Sequence, residues 1–103
     1  MSVSRRYHPE IAPGETSVFG FDFSPVIPVG VGIKAGTLDM ARTDGGVVDI
    51  SATAVTWIDR TLYATLTSGA DNAGFDYQLT WTATDTDGNV WPRTAMLLCA
   101  LTS

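Results

Sequence analysis

The sequence predicts an all-β fold, and three observations carry that expectation. No segment of a dozen residues keeps a 3.6-residue apolar period, so nothing marks an amphipathic helix. Runs of strict two-residue alternation recur instead, the mark of strands with one face in a core and one in water. The chain is also rich in Thr, Val, Gly and aromatic residues, with Gly, Pro and Asp clusters between the apolar runs. About seven short strands separated by such turns point to an antiparallel β-sandwich of immunoglobulin-like type.

Residues 1–14 hold Arg5, Arg6, Tyr7, Pro9 and Pro13 and read as an extended N-terminal arm that ends in the turn Ala12-Pro13-Gly14-Glu15. Residues 1–15 are therefore expected to be the arm and 16–103 the sandwich domain. The first core strand covers 16–24, where Phe19, Phe21 and Phe23 share one face and Gly20, Asp22 and Ser24 the other. Pro25 and Pro28 break it, because a proline removes a ladder donor. Residues 31–42 form a second strand region, with Ile33 early and Leu38 and Met40 on one face. Thr43-Asp44-Gly45-Gly46 is a turn. Residues 47–50 and 55–58 read as two short strands or one bent strand. After Arg60-Thr61 the chain turns into Leu62, Ala64 and Leu66, which alternate with Tyr63, Thr65 and Thr67.

The last third, 75–101, reads as one long hairpin folded at Asp85-Thr86-Asp87-Gly88-Asn89. Its first strand, 77–84, alternates without a slip and places Tyr77, Leu79 and Trp81 in the core, with Trp81 as the central aromatic. Burying that indole contributes on the order of 3 kcal/mol. Asp71-x-x-Gly74-x-x-Tyr77 resembles the approach to a tyrosine corner, in which the phenol bonds back to upstream backbone. The returning strand is apolar on both faces from Ala95 to Leu101 and needs cover on its second side. If the core covers Ala95, Leu97, Cys99 and Leu101, then Met96 and Leu98 are left for a subunit contact.

A chain of 103 residues supports one modest core. Only 17% of its residues are charged against 45% hydrophobic, and a chain so poor in charge leans towards assembly. The formal charge of −5 comes from scattered acids, which disfavours nucleic acid as a partner because phosphate binding needs clustered Lys and Arg. Arg5-Arg6 is too short a cluster to change that. Nothing at the N-terminus has the pattern of a secretion signal, and no apolar run reaches membrane-spanning length. The single cysteine, Cys99, excludes an internal disulfide and reads as a small buried hydrophobe.

Catalytic and cofactor chemistry finds no foothold. His8 is the only histidine and lacks a nucleophile motif beside it, and there are too few His and Cys ligands for a metal site. Aligning Asp87-Gly88 with a calcium loop puts Ala83 and Thr94 where carboxylates are needed, so the acidic stretch reads as a turn. No enzyme activity, cofactor or metal is expected. Trp57, Trp91 and Tyr63 form a possible sugar-stacking platform, but exposed aromatics serve equally as interface anchors. The candidate interface residues are Arg5, Arg6, Tyr7, Tyr63, Trp91, Met96 and Leu98.

One resemblance adds an address. Phe21-Asp22-Phe23-Ser24, a Pro/Gly loop, Gly32-Ile33 and Thr37 begin a pattern; a Gly-rich loop into Tyr77-Gln78-Leu79-Thr80, then Asp87-Gly88, Arg93 and the apolar terminal strand, complete it. This order resembles the fiber-tail adaptors of tailed phages and related immunoglobulin-like neck and decoration proteins, across residues 20–101. The resemblance implies a non-enzymatic virion subunit, made in the host bacterial cytoplasm and repeated in a ring or array. Its partners would be neck, tail, fiber or capsid proteins. A capsid decoration protein and a carbohydrate-binding module of a host-adhesion device are the alternatives.

Overall fold

The computed structural model describes residues 10–99. It contains eight strands and, among the described residues, no helix: β1 (Glu10–Ile11), β2 (Thr16–Asp22), β3 (Ile33–Arg42), β4 (Ile50–Ala52), β5 (Thr56–Ile58), β6 (Thr61–Ser68), β7 (Asp76–Asp85) and β8 (Val90–Cys99). They form two sheets. The first has the order β1-β8-β7-β3, the second β2-β6-β4 with β5 also paired to β6. Every pairing is antiparallel except β1 on β8, which is parallel with Glu10 opposite Leu98.

The core lies between the inner faces. Phe23, Leu62, Leu66, Tyr77, Leu79, Trp81 and Leu97 are buried, and Phe19, Phe21 and Trp91 pack against them partly covered. The two-residue alternation sets this directly, since Leu62, Ala64 and Leu66 of β6 face inward while Tyr63 and Thr65 between them face out. Phe21 and Phe23 meet with ring centroids 5.0 Å apart in a tilted pair.

Two expectations need correction. The arm does not run to residue 15 as a separate piece: Ile11 is fully buried, and β1 adds to the edge of β8. Its one apolar side chain, Ile11, lies opposite Cys99 in the core. The turn 43–49 runs longer than the sequence suggests, so Val47 is exposed and β4 begins at Ile50. Arg42 holds that turn, donating to Asp44 through Nε (2.8 Å) and Nη2 (2.9 Å) and to the Val47 carbonyl through Nη1 (3.4 Å). β4 and β5 follow the expectation of two short strands or one bent strand: both pair with β6, and between them Thr53 N–H donates to Thr65 O and Thr65 N–H to Thr53 Oγ1. The hydroxyl replaces a backbone acceptor where the edge bends.

A register shift between Ile33 and Ala35 explains how β3 serves one core face. Ile33 and Leu38 are an odd number of positions apart, so an unbroken strand would put them on opposite faces. The extra residue brings both inward.

Two buried polar nodes fix the ends of the sandwich. At one, Tyr77 Oη donates to Asn72 Oδ1 (2.7 Å) and accepts from Asp49 N–H (3.0 Å). Asn72 Nδ2 donates to Asp49 O (2.5 Å) and Ser68 Oγ (3.2 Å). The hydroxyl does reach upstream backbone, but its nearer partner is the Asn72 side chain, whereas Asp71 stays exposed. At the other end Asp85, 1% exposed, organises the hairpin turn. Its Oδ1 accepts from the N–H groups of Asp87 (2.9 Å) and Asn89 (2.9 Å), and its Oδ2 accepts from Asn89 Nδ2 (3.3 Å) and Trp91 Nε1 (3.0 Å). Gly88, at φ 89°, supplies the left-handed position the turn requires.

Candidate functional site

The second sheet turns an unusual face outward. β2 presents Thr16, Val18 and Gly20; β6 presents Thr61, Tyr63, Thr65 and Thr67; and Thr56 and Ile58 of β5 stand beside Tyr63 and Thr61. None of these side chains carries a charge in a chain of net charge −5. Asp22 closes the face at one strand end. Val18 is 67% exposed and Ile58 71%. Together with Thr56, Tyr63 and Thr65 they line a shallow groove of about 560 Å³.

Tyr63 lines the groove because Gly20 leaves room for it. A Cβ on Gly20 would stand 2.8 Å from Tyr63 Cδ1, so one edge of the ring lies against the bare backbone of the neighbouring strand. Thr16 and Thr67 link β2 and β6 on the same face through their hydroxyls, 2.9 Å apart.

The β2 edge of this sheet is open among the described residues. Ser68 N–H donates to Glu15 O and Phe23 N–H to Arg60 O, so odd-numbered residues of β2 bond to β6. Alternation then leaves Thr16, Val18, Gly20 and Asp22 with their N–H and C=O groups pointing away from the sheet.

The sequence-derived interface residues do not come together. Tyr63 lies in the groove just described. Met96 and Leu98 lie on the outer face of the first sheet and are half-buried, beside the inward Leu97 and Cys99. Trp91 is turned to the inner side opposite Ala83, packs against the core and spends its indole N–H on Asp85. Arg93 Cζ sits 5.7 Å from the Trp91 ring centroid. Trp57 is on β5 of the other sheet, so Trp57, Trp91 and Tyr63 form no common stacking platform. Arg5, Arg6 and Tyr7, with His8, lie outside the described residues, as does Leu101.

Val18 and Ile58 were missed, although a signal existed. Val18 is an apolar residue on the face that β2 otherwise gives to Thr16, Gly20 and Asp22.

The ionisable groups do structural work. The Trp91 indole bond leads the interactions that hold the Asp85 carboxyl below its usual range, with the Asn89 and Asp87 N–H groups adding to it against the opposing effect of burial. Both Asp85 oxygens already accept from N–H donors, a poor arrangement for a cation ligand. Arg42 and the Gly46 N–H bring Asp44 down to about 2. Burial first, then the nearby Asp76 charge, pushes the Cys99 thiol up, away from thiolate reactivity. Among the described residues no three His, Cys, Asp or Glu side chains cluster as metal ligands. No helix among them is long and apolar enough to cross a membrane.

Comparison with protein-family models, curated proteins and solved structures gave no match.

Proposed function

We propose that the chain is a non-enzymatic structural subunit of a tailed-bacteriophage virion. In this reading it is a neck/tail or fiber-tail adaptor that works through protein–protein contacts on an immunoglobulin-like sandwich. The strand order supports the immunoglobulin-like reading: β1-β8-β7-β3 stands against β2-β6-β4, and the Tyr77 hydroxyl ties β7 to the loops at Asn72 and Asp49. The observation that carries the joining role is the second sheet, whose charge-free, apolar-centred outer face runs into a strand edge that is open among the described residues. Surfaces of this kind mark protein contacts rather than catalysis. The virion address rests on the sequence pattern of residues 20–101. A sugar-binding role is weakened because the three candidate rings lie apart.

Purified particles test the address. The chain should co-sediment with them, and antibody labelling should mark the neck or tail. Label spread over capsid faces would favour the decoration-protein reading of the same fold. Absence from particles would sink the virion reading altogether.

A further inference from the structure

We infer that β2 pairs edge to edge with β2 of a second copy, antiparallel about a twofold axis, joining two four-stranded sheets into one. This deepens the assembling-subunit reading by naming the edge and the partner.

Among the described residues, the sheet edges differ in how they are guarded. β8 carries Pro92, which removes an N–H, and β1 covers its end. β3 carries the register shift and Lys34 near its start. β4 and β5 bend at Thr53. Such bulges, prolines and lysines are the devices that keep strand edges from pairing. β2 has none of them: Thr16–Asp22 contains no proline, no cation and no bulge, and its pairing with β6 is unbroken.

Its charge pattern fits a copy of itself. Two chains of net charge −5 meet at least cost where their surfaces carry the fewest charges, and β2 carries only one, Asp22 at its end. Among the described residues, the even-numbered positions of β2 are the ones whose backbone groups no neighbouring strand takes up, so even must meet even. With the twofold axis at Phe19, Thr16 meets Asp22 of the second copy and Val18 meets Gly20. Each pair exchanges an N–H and a C=O, and the two Asp22 carboxylates stay at opposite ends. On the outer face, the exposed Val18 of one copy then lands beside the Tyr63 ring that covers Gly20 of the other. The two grooves become one surface across the joint, uncharged between the two Asp22 carboxylates at its ends.

Sedimentation of the full chain over a concentration series tests this. A concentration-dependent dimer is expected. Val18→Pro removes an outward N–H without touching a bond to β6, and Val18→Lys adds a gatekeeper charge. Each should weaken dimerisation roughly tenfold or more while circular dichroism stays unchanged. Register is read by mixing Thr16→Cys chains with Asp22→Cys chains. A hydrogen-bonded antiparallel pair places its Cα atoms about 5.5 Å apart, within disulfide reach, so the mixture should cross-link and neither variant alone should. A chain monomeric at every concentration, a dimer indifferent to both Val18 variants, or cross-linking within a single variant would overturn the proposal. A β2-dependent dimer that is missing from particles would sink only the virion reading.

Discussion

At the residue scale, two hydrogen-bonded side chains decide more than their size suggests. Tyr77→Phe keeps the buried ring but strands Asn72 Oδ1 and the Asp49 N–H, each a group that lost water on folding. Urea denaturation should show a loss of about 1–3 kcal/mol with an unchanged m-value. Asp85 makes a prediction about pH. Its folded pKa lies below its unfolded one, so the unfolded chain binds more protons between those values, and stability rises with pH across that window. The contribution is present above the unfolded pKa, near 3.9, and is lost as pH falls through the folded value. Trp91→Phe removes the indole donor while leaving an aromatic ring, so the Asp85 carboxylate should titrate higher by NMR and the acid transition should begin at higher pH. An unshifted Asp85 titration would mean that the indole bond is not its main stabiliser. The sequence shows Asp85 as a turn residue because Asp-x-Asp-Gly is turn chemistry. It does not show that Trp91 folds back onto that carboxylate, since an indole six positions away carries no local signal. For the same reason Trp91 reads from sequence as a surface anchor.

Individual strands were legible wherever one face meets water. The alternation in β6 and β7 gives Leu62, Ala64, Leu66, Tyr77, Leu79 and Trp81 as core without reference to any partner strand. Alternation fails where the backbone leaves its period, as at the Ile33/Ala35 shift in β3 and the Thr53 bend between β4 and β5, because a bulge costs one residue that composition does not mark. Just past the β3 shift, Gly36 faces β6 and the residue before β5 so closely that an added Cβ would stand 2.7 Å from Leu62 Cδ2 and 3.1 Å from Val55 Cγ1. Gly36→Val therefore overpacks the space between the sheets. It should cost about 1–3 kcal/mol and lower the melting temperature by roughly 4–8 °C per kcal/mol lost. Gly36→Ala should cost less, because Leu62 and Val55 are side chains that can shift a few tenths of an ångström. Equal stability of Gly36→Val and the parent would show that this contact is looser than its distances indicate.

The whole molecule was the least legible level, because which strand neighbours which depends on segments far apart in the chain. Nothing in residues 10–11 announces that they add to a strand that ends near residue 99, yet this parallel pairing closes the sandwich over Ile11 and Cys99. Cys99 is consequently a built-in reporter of closure. Its sulfur is buried, its pKa is raised, and its strand is held by β7 on one side and β1 on the other. In the native protein a thiol reagent should label it only through opening, so the labelling rate should stay low without denaturant and climb with urea. Ile11→Ala empties a fully buried site and loosens β1 from β8. It should cost about 2–5 kcal/mol and raise the native-state labelling rate, whereas Val18→Lys, on the opposite sheet's exposed face, should leave that rate unchanged. Labelling of the parent at the rate of a free thiol would contradict a core closed by β1. An Ile11→Ala chain that loses stability but keeps its slow native labelling would place the opening elsewhere.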